Sequence, residues 1–307
     1  MLKITNQFLI VTFYLLLSFS SVSHALYQYT PSDVYTETLK IEQEVEIIRQ
    51  YFNAPIAKIP VRLDVQLKPR NAWQKTYEIF VKINILRQKN KLPRIEETGL
   101  APVKSLDPGL VHEQVRRILA ELDIFKTREG ISKQIKSVPQ QQGKTPSDVY
   151  HLLDTISSQL DSINGESFTP SFVFAQNMRI LEDLNTIIAK LNIHDRIEPP
   201  NRVDNASPSD VFDLALEVMI EIQRLQAMAG IESVEFSALK KQTISPGDVF
   251  TMTGMIISGL QPIKAYLTLN QQVTPPAIIY KDKRPADALQ TLGWALRKIK
   301  LIRNLDY

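Results

Sequence analysis

Apolar residues recur along this chain at fixed distances from a repeated proline. Counted from each of eight prolines, the positions three, ten, fourteen and seventeen residues later are apolar in every copy. In the copy that starts at Pro146 they are Val149, Ile156, Leu160 and Ile163. An α-helix has about 3.6 residues per turn, so these positions form one stripe on an amphipathic helix. The pattern predicts eight copies of one helix, which begin at Pro31, Pro69, Pro108, Pro146, Pro170, Pro208, Pro246 and Pro285.

Each copy opens with a phrase that is typical of a helix start. Thr30-Pro31-Ser32-Asp33-Val34-Tyr35 returns as Thr145-Pro146-Ser147-Asp148-Val149-Tyr150, and related versions begin at Ser207 and Ser245. Proline suits the first helical position, and an aspartate at the third position can accept a hydrogen bond from the N–H of the capping residue. We expect side-chain caps from Thr30, Thr145, Thr169, Ser207 and Ser245. Lys68 and Arg284 are poorer caps, and Leu110 and Phe172 replace the aspartate, so those starts should be less well fixed.

Long connections separate most of the predicted helices. The prolines lie 38 or 39 residues apart, and the intervening segments carry further prolines such as Pro55, Pro60 and Pro93, which favour extended backbone. An extended connection of this length can run back along its helix, which spans about 30 Å, and start the next helix at the same end. We predict an all-α fold of eight tandem ~38-residue repeats, each an amphipathic helix plus a long Pro-containing extended connection.

One joint is shorter than the others. Only 24 residues separate Pro146 from Pro170, and Asn164-Gly165 indicates a tight turn, so we expect the fourth and fifth helices to form an antiparallel hairpin. The chain is then arranged as two four-helix halves, residues 26–164 and 165–307, which resemble an internal duplication. The sequence leaves open whether the halves form two bundles or one continuous layer.

The N-terminus resembles a secretory signal peptide. Lys3 precedes an apolar run at residues 8–17, and Ser23-His24-Ala25 offers small residues at the positions that a signal peptidase reads. We predict that residues 1–25 are removed and that the mature protein is periplasmic or secreted, without a transmembrane segment. An uncleaved anchor helix is the alternative, although the apolar run is shorter than the roughly 20 residues that a span needs. The chain has 0 cysteines, so an exported form must be held together by its core.

Charge and motif content narrow the function further. The net charge is +3 with both signs interspersed, which gives no reason to expect a nucleic-acid partner. No histidine pair with metal spacing, phosphate-binding loop or nucleophile elbow stands in the chain, so we expect no catalytic residue, no metal site, no cofactor and no enzymatic activity.

Two repeated features are candidate sites. The first is a mostly aromatic column, four residues after the prolines, that could form a partner or ligand surface; a core layer is the alternative. Its members are Tyr35, Trp73, His112, Tyr150, Phe174, Phe212 and Phe250. The second is a set of aspartates at helix starts that could hold a cation such as calcium, the alternative being that each caps its own helix. They are Asp33, Asp148, Asp210, Asp248 and Asp287.

The repeat architecture favours binding over chemistry. Repeat arrays present extended surfaces, and equivalent residues in every copy are unlike a unique active site. We therefore expect a protein-binding or scaffold module of the cell envelope with a protein partner. The alternative is a periplasmic small-molecule carrier or sensor, which would have a pocket between or within the helical halves. An enzyme ranks third, and the sequence indicates neither the partner nor the oligomeric state.

Overall fold

The computed structural model describes residues 28–58, 65–165, 167–234 and 243–304. The predicted signal peptide at residues 1–25 lies outside this part of the chain. Helices separated by irregular connections make up the described ranges, as the sequence predicts. The helices are α1 (Pro31–Tyr51), α2 (Pro69–Lys89), α3 (Pro108–Arg128), α4 (Pro146–Asn164), α5 (Pro170–Lys190), α6 (Pro208–Met228), α7 (Pro246–Tyr266) and α8 (Pro285–Arg303).

The apolar stripe forms the core. All residues three, ten and fourteen positions after the eight prolines are buried, as are those at position seventeen except the half-buried Ile163. In α4, for example, Ile156 and Leu160 are fully buried. Because each helix starts at the predicted proline, the register derived from the apolar pattern is confirmed.

The helices pack as two bundles with the same connectivity. In the first bundle α1 and α2 each pack against α3 and α4, so the order around the bundle is α1, α3, α2, α4. In the second bundle α5 and α6 each pack against α7 and α8, which gives the order α5, α7, α6, α8. Consecutive helices α1 and α2 therefore lie diagonally opposite each other, as do α5 and α6.

Within each bundle the four helices run parallel. Their first-turn prolines meet around one narrow crevice of about 10 Å³ at the starting end, and this holds for both bundles. Contacts between α2 and α4 advance in the same direction, since Lys75 pairs with Asp154 and Lys82 pairs with Asp161. The long return connection thus does what the 38-residue period predicts.

The second bundle runs opposite to the first. The contact between the bundles is made by α2 and α7, where Asn71 Nδ2 lies 3.0 Å from Ser258 Oγ and Thr251 Oγ1 lies 3.0 Å from Glu78 Oε2. Residue numbers rise on one helix as they fall on the other, so these helices are antiparallel.

The expected hairpin is wrong in one respect: α4 and α5 are joined by a turn but do not pack against each other. The turn at Gly165 (φ 63°) is present, yet α5 packs against α7 and α8 rather than along α4. After the turn, the buried Phe168 stacks on Phe250 of α7 with ring centroids 4.0 Å apart. This contact anchors the chain on the second bundle before α5 begins.

The return connections follow neighbouring helices more than their own. The segment between α3 and α4 runs back along α1, where Lys136 N donates to Gln43 Oε1 at 2.8 Å and Gln141 N donates to Thr36 Oγ1 at 3.0 Å. The segment between α2 and α3 does begin along its own helix, through Asn84 and Ile95. The expectation that every connection returns along its own helix is therefore corrected, because polar side chains of a neighbouring helix satisfy the extended backbone.

Candidate functional site

The repeated aspartates cap their own helices. Those of α1, α4, α6 and α7 accept a hydrogen bond from the backbone N–H of the capping residue at 2.7–2.8 Å, and the capping hydroxyl accepts one in return. At α8 only one of these two hydrogen bonds forms: Arg284 N donates to Asp287 Oδ2 at 2.8 Å. The expected cap at Thr169 is wrong: its side chain makes no capping hydrogen bond, and Phe172 at the third position has no carboxylate to accept from the N–H of Thr169.

The cation hypothesis gains no support from this arrangement. Asp33 and Asp148 belong to the first bundle, whereas Asp210, Asp248 and Asp287 belong to the second, whose helices start at the opposite end. Within the described ranges no group of three or more acidic, histidine or cysteine side chains could hold a metal ion. The capping role accounts for the aspartates without a ligand.

The serine after the proline has a role that sequence reasoning missed. Ser32 Oγ accepts from Lys144 N at 3.0 Å, Ser147 Oγ from Leu67 N at 2.9 Å, and Ser171 Oγ from Lys283 N at 3.1 Å. Each donor stands two residues before the proline of an adjacent helix. The serine therefore holds the last residues of the connection that leads into the neighbouring helix. The recurrence of a small residue at this position was the signal that could have revealed the contact.

A second missed feature is a set of buried or partly buried ion pairs between neighbouring helices. An acid thirteen residues after one proline meets a base eighteen residues after another: Glu44 with Lys126 at 2.6 Å, and Asp183 with Lys264 at 2.6 Å. Glu221 and Arg303 form the same pair at 2.5 Å. These pairs fix neighbouring helices in register near their carboxyl ends.

The aromatic column divides between the two ends of the molecule. Trp73, His112, Tyr150 and Phe250 are buried, whereas Tyr35, Phe174 and Phe212 are half-buried. The first four column residues along the chain belong to the first bundle and the last three to the second, so the column does not form a single continuous surface. Its role in binding stays a prediction.

Lysines of the arriving connections cover two of the half-buried rings. Lys144 Nζ lies 4.6 Å from the ring centre of Tyr35, and Lys283 Nζ lies at the same distance from that of Phe174. His112 stacks on Tyr29 with ring centroids 3.9 Å apart, and burial lowers the pKa of its imidazole. These contacts resemble local packing more than an open ligand site.

Helix α2 carries a buried polar network at the junction of the bundles. Lys75 Nζ lies 2.9 Å from both Glu78 Oε2 and Asp154 Oδ1. Lys82 Nζ contacts Ser157 Oγ at 2.7 Å and Asp161 Oδ2 at 2.6 Å. The network joins α2 to α4, and Thr251 of α7 extends it across the junction.

Glu78 is held ionised at the centre of this network. Burial opposes its charge, but Lys75, Lys82 and a hydrogen bond from Ser157 more than offset that effect and lower its pKa to about 2. For Lys75 burial opposes the charge as well, and Asp154 and Glu78 nevertheless raise its pKa well above the ordinary value. Each of these buried charges therefore has an opposite charge beside it, which is what burial of an ion requires.

A crevice between the bundles is too small for a typical ligand. It measures about 40 Å³ and is lined by residues that include Tyr77, Phe172, Phe250 and Ile278. Pockets for small molecules usually occupy about 300–1,000 Å³. This particular crevice is therefore smaller than a usual small-molecule pocket.

The most distinctive surface is an apolar segment beside that crevice. In the connection between α7 and α8, Val273, Ile278 and Ile279 are 48%, 71% and 58% exposed. We call residues 273–279 the apolar segment. Three large apolar side chains are therefore exposed within seven residues of chain, and exposed apolar surface is a common mark of interaction sites.

The backbone under the apolar segment is firmly held. Thr274 is buried, its N–H donates to Leu100 O at 3.0 Å, and its hydroxyl lies 2.6 Å from Asp183 Oδ2. Arg179 Nε donates to Pro275 O at 2.6 Å, and Ala277 N donates to Tyr77 OH at 3.0 Å. The exposed side chains are thus presented by a fixed backbone anchored on both bundles.

Comparisons with known proteins return no relative: the chain matches no family model, no curated protein and no solved structure at a significant level. Among the described helices none is both long and apolar enough to cross a bilayer.

Proposed function

We propose that this protein is an exported binding module of the cell envelope that recognises a protein partner through the apolar segment. The observation that carries the proposal is the exposure of Val273, Ile278 and Ile279 on a backbone that is hydrogen-bonded to both bundles. A preordered apolar surface loses little conformational freedom on association, which favours binding. The signal-like N-terminus supports the location.

A protein fits this surface better than a small molecule does. The apolar side chains project outward from an extended segment, and the adjoining crevice of about 40 Å³ leaves little room for a buried ligand. Protein interfaces commonly centre on a few apolar anchors surrounded by polar groups. Lys281, Asp282 and Lys283 follow the apolar segment after Tyr280 and would supply such a rim.

Site-specific photocrosslinking in the native host tests the proposal. A photoreactive residue at position 278 should give one discrete protein adduct, and Ile279→Asp should abolish it without changing the melting temperature. The matched control is position 56, where Ile56 is also apolar and 84% exposed but lies in the connection between α1 and α2. No adduct from position 278, or the same adduct from both positions, would refute the assignment.

A further inference from the structure

The contact between the bundles joins helices that are not equivalent. α2 is the second helix of its bundle and α7 is the third helix of the other, so the contact is heterologous and does not close on itself. The equivalents of these two helices are α6 in the second bundle and α3 in the first. Their outer faces correspond to the two surfaces that are buried at the junction.

The outer face of α6 is open to solvent. On α2 the junction buries Asn71, Gln74, Glu78 and Val81. The residues at the same distances from the proline of α6 are all exposed: Asp210, Asp213, Glu217 and Ile220. A groove of about 580 Å³ lies along this face between α6 and α8, with Leu214 and Leu296 among its lining residues.

The outer face of α3 is open as well. At the position of Gly254 on α7, which packs against Gln74, α3 carries the exposed Arg116. Leu110 and Glu113 on the same face are also exposed, and they line a broad depression of about 820 Å³. Each face carries an exposed apolar side chain: Leu110 on α3 is 43% exposed and Ile220 on α6 is 47% exposed.

We propose that a second copy of this chain docks its α3 on the outer face of α6 in the register in which α7 docks on α2, with a wider helix separation because Arg116 stands where α7 has Gly254. In the chain, Gln74 meets Gly254 and Asn71 meets Ser258. Transfer of this register to α6 and α3 places Asp213 opposite Arg116. The same antiparallel register places Ile220 opposite Leu110, so an ion pair and an apolar contact form together.

The remaining charges are compatible with this docking. Glu217 comes opposite Glu113 of the second copy, but Glu217 already lies 2.8 Å from Lys300 Nζ in its own chain. Glu113 therefore meets an ion pair rather than a lone carboxylate. Asp210 comes opposite the small Ala120, which leaves its capping bond to Ser207 undisturbed.

Head-to-tail docking predicts growth beyond a dimer. Each copy offers one α3 face and one α6 face, and a heterologous contact adds copies until a ring closes or the chain stays open. Sedimentation velocity of the mature chain should show a mass that rises with concentration past that of two copies. A monomer at all concentrations, or a dimer that does not grow, would overturn the proposal.

Charge-reversal variants test whether the faces of α3 and α6 are the ones that dock. Asp213→Arg alone places arginine against arginine, and Arg116→Asp alone places aspartate against aspartate, so each variant should associate roughly tenfold or more weakly than the wild type. Mixing the two variants restores an opposite pair at every contact, and growth should return. Glu182→Arg, at an exposed acid on α5, is the matched control and should associate like the wild type.

The mixing experiment also separates loss of docking from loss of folding. A misfolded variant would not regain association when mixed with the other, whereas complementary faces would. A mixture that stays monomeric, or a control that weakens as much as Asp213→Arg, would overturn the assignment of these faces. The sedimentation and mixing experiments test the faces of α3 and α6. They do not involve the apolar segment, which lies in the connection between α7 and α8.

Discussion

At the scale of single residues, α2 carries more buried charged side chains than any other described helix. Lys75, Glu78 and Lys82 stand on one helix, are all buried, and compensate one another with Asp154 and Asp161 of α4. A buried charge that loses its partner is strongly destabilising, whereas a complete network is close to neutral. Stability at this junction therefore depends on Glu78 staying ionised.

Glu78→Gln should destabilise the protein by roughly 3–5 kcal/mol, because two buried lysines lose their shared carboxylate. The pH dependence has a definite sign. The folded pKa of Glu78 is lowered from 4.5 to about 2, so its stabilising contribution is full above pH 4.5 and is lost as the pH falls toward 2.

Chemical denaturation across this pH range measures the effect. The stability difference between wild type and Glu78→Gln should shrink as the pH approaches 2. A difference that stays constant from neutral pH downward would show that Glu78 is not ionised in the folded protein.

At the scale of elements, a helix and the connection of its neighbour are joined through the first turn. Ser147 illustrates this, since its hydroxyl accepts from Leu67 N and donates to Val65 O at 3.2 Å. The contact holds the end of the first connection against α4 and so sets where α2 begins. Parallel helices need such contacts because no short turn ties one helix end to the next.

Ser147→Ala should cost about 1–3 kcal/mol, because the amide of Leu67 is left without its acceptor. Ser209→Ala is the matched control, since Ser209 occupies the same position in the phrase but is exposed, and its loss should have little effect. Denaturant unfolding measures both, and amide exchange at Leu67 should accelerate only in the first variant. Equal effects of the two substitutions would contradict a specific role for Ser147.

The sequence predicted where each helix begins and which face it buries, but not which helices pack against each other. Proline, cap and apolar stripe act within one helix, so the start of α4 at Pro146 and the burial of Leu160 could be derived from spacing alone. The pairing of Glu44 with Lys126 could not, because it depends on α3 lying next to α1 in the bundle. The exposure of Ile278 likewise depends on where a connection crosses the junction, and periodicity carries no information on that.

At the scale of the whole molecule, the main helix–helix contact between the two bundles, within the described ranges, is one close pair, α2 and α7. Gly254 makes this possible, because a Cβ atom there would lie 3.2 Å from the side chain of Gln74. The apolar stripes of its own four helices give each bundle a complete core, so the junction can be weakened while both bundles remain folded.

Gly254→Leu should therefore separate the bundles without unfolding them, at a cost of roughly 1–3 kcal/mol for the added bulk. Small-angle scattering should show a larger radius of gyration, with unchanged helical circular dichroism. Ala227→Leu is the control, since Ala227 is exposed on α6 and can accept the same bulk. An unchanged scattering profile for Gly254→Leu would contradict the assignment of α2 and α7 as the main contact.

The parallel arrangement within each bundle also has an electrostatic consequence. Every helix carries about half a positive charge at its start and half a negative charge at its end, so four parallel helices add to about two charges at each end of a bundle. The first-turn aspartates and the last-turn basic residues of most helices offset these charges locally. Because the second bundle runs the opposite way, its dipole also opposes that of the first. The eight helices thus form an electric quadrupole, in which each end of the molecule presents a positive and a negative pole side by side.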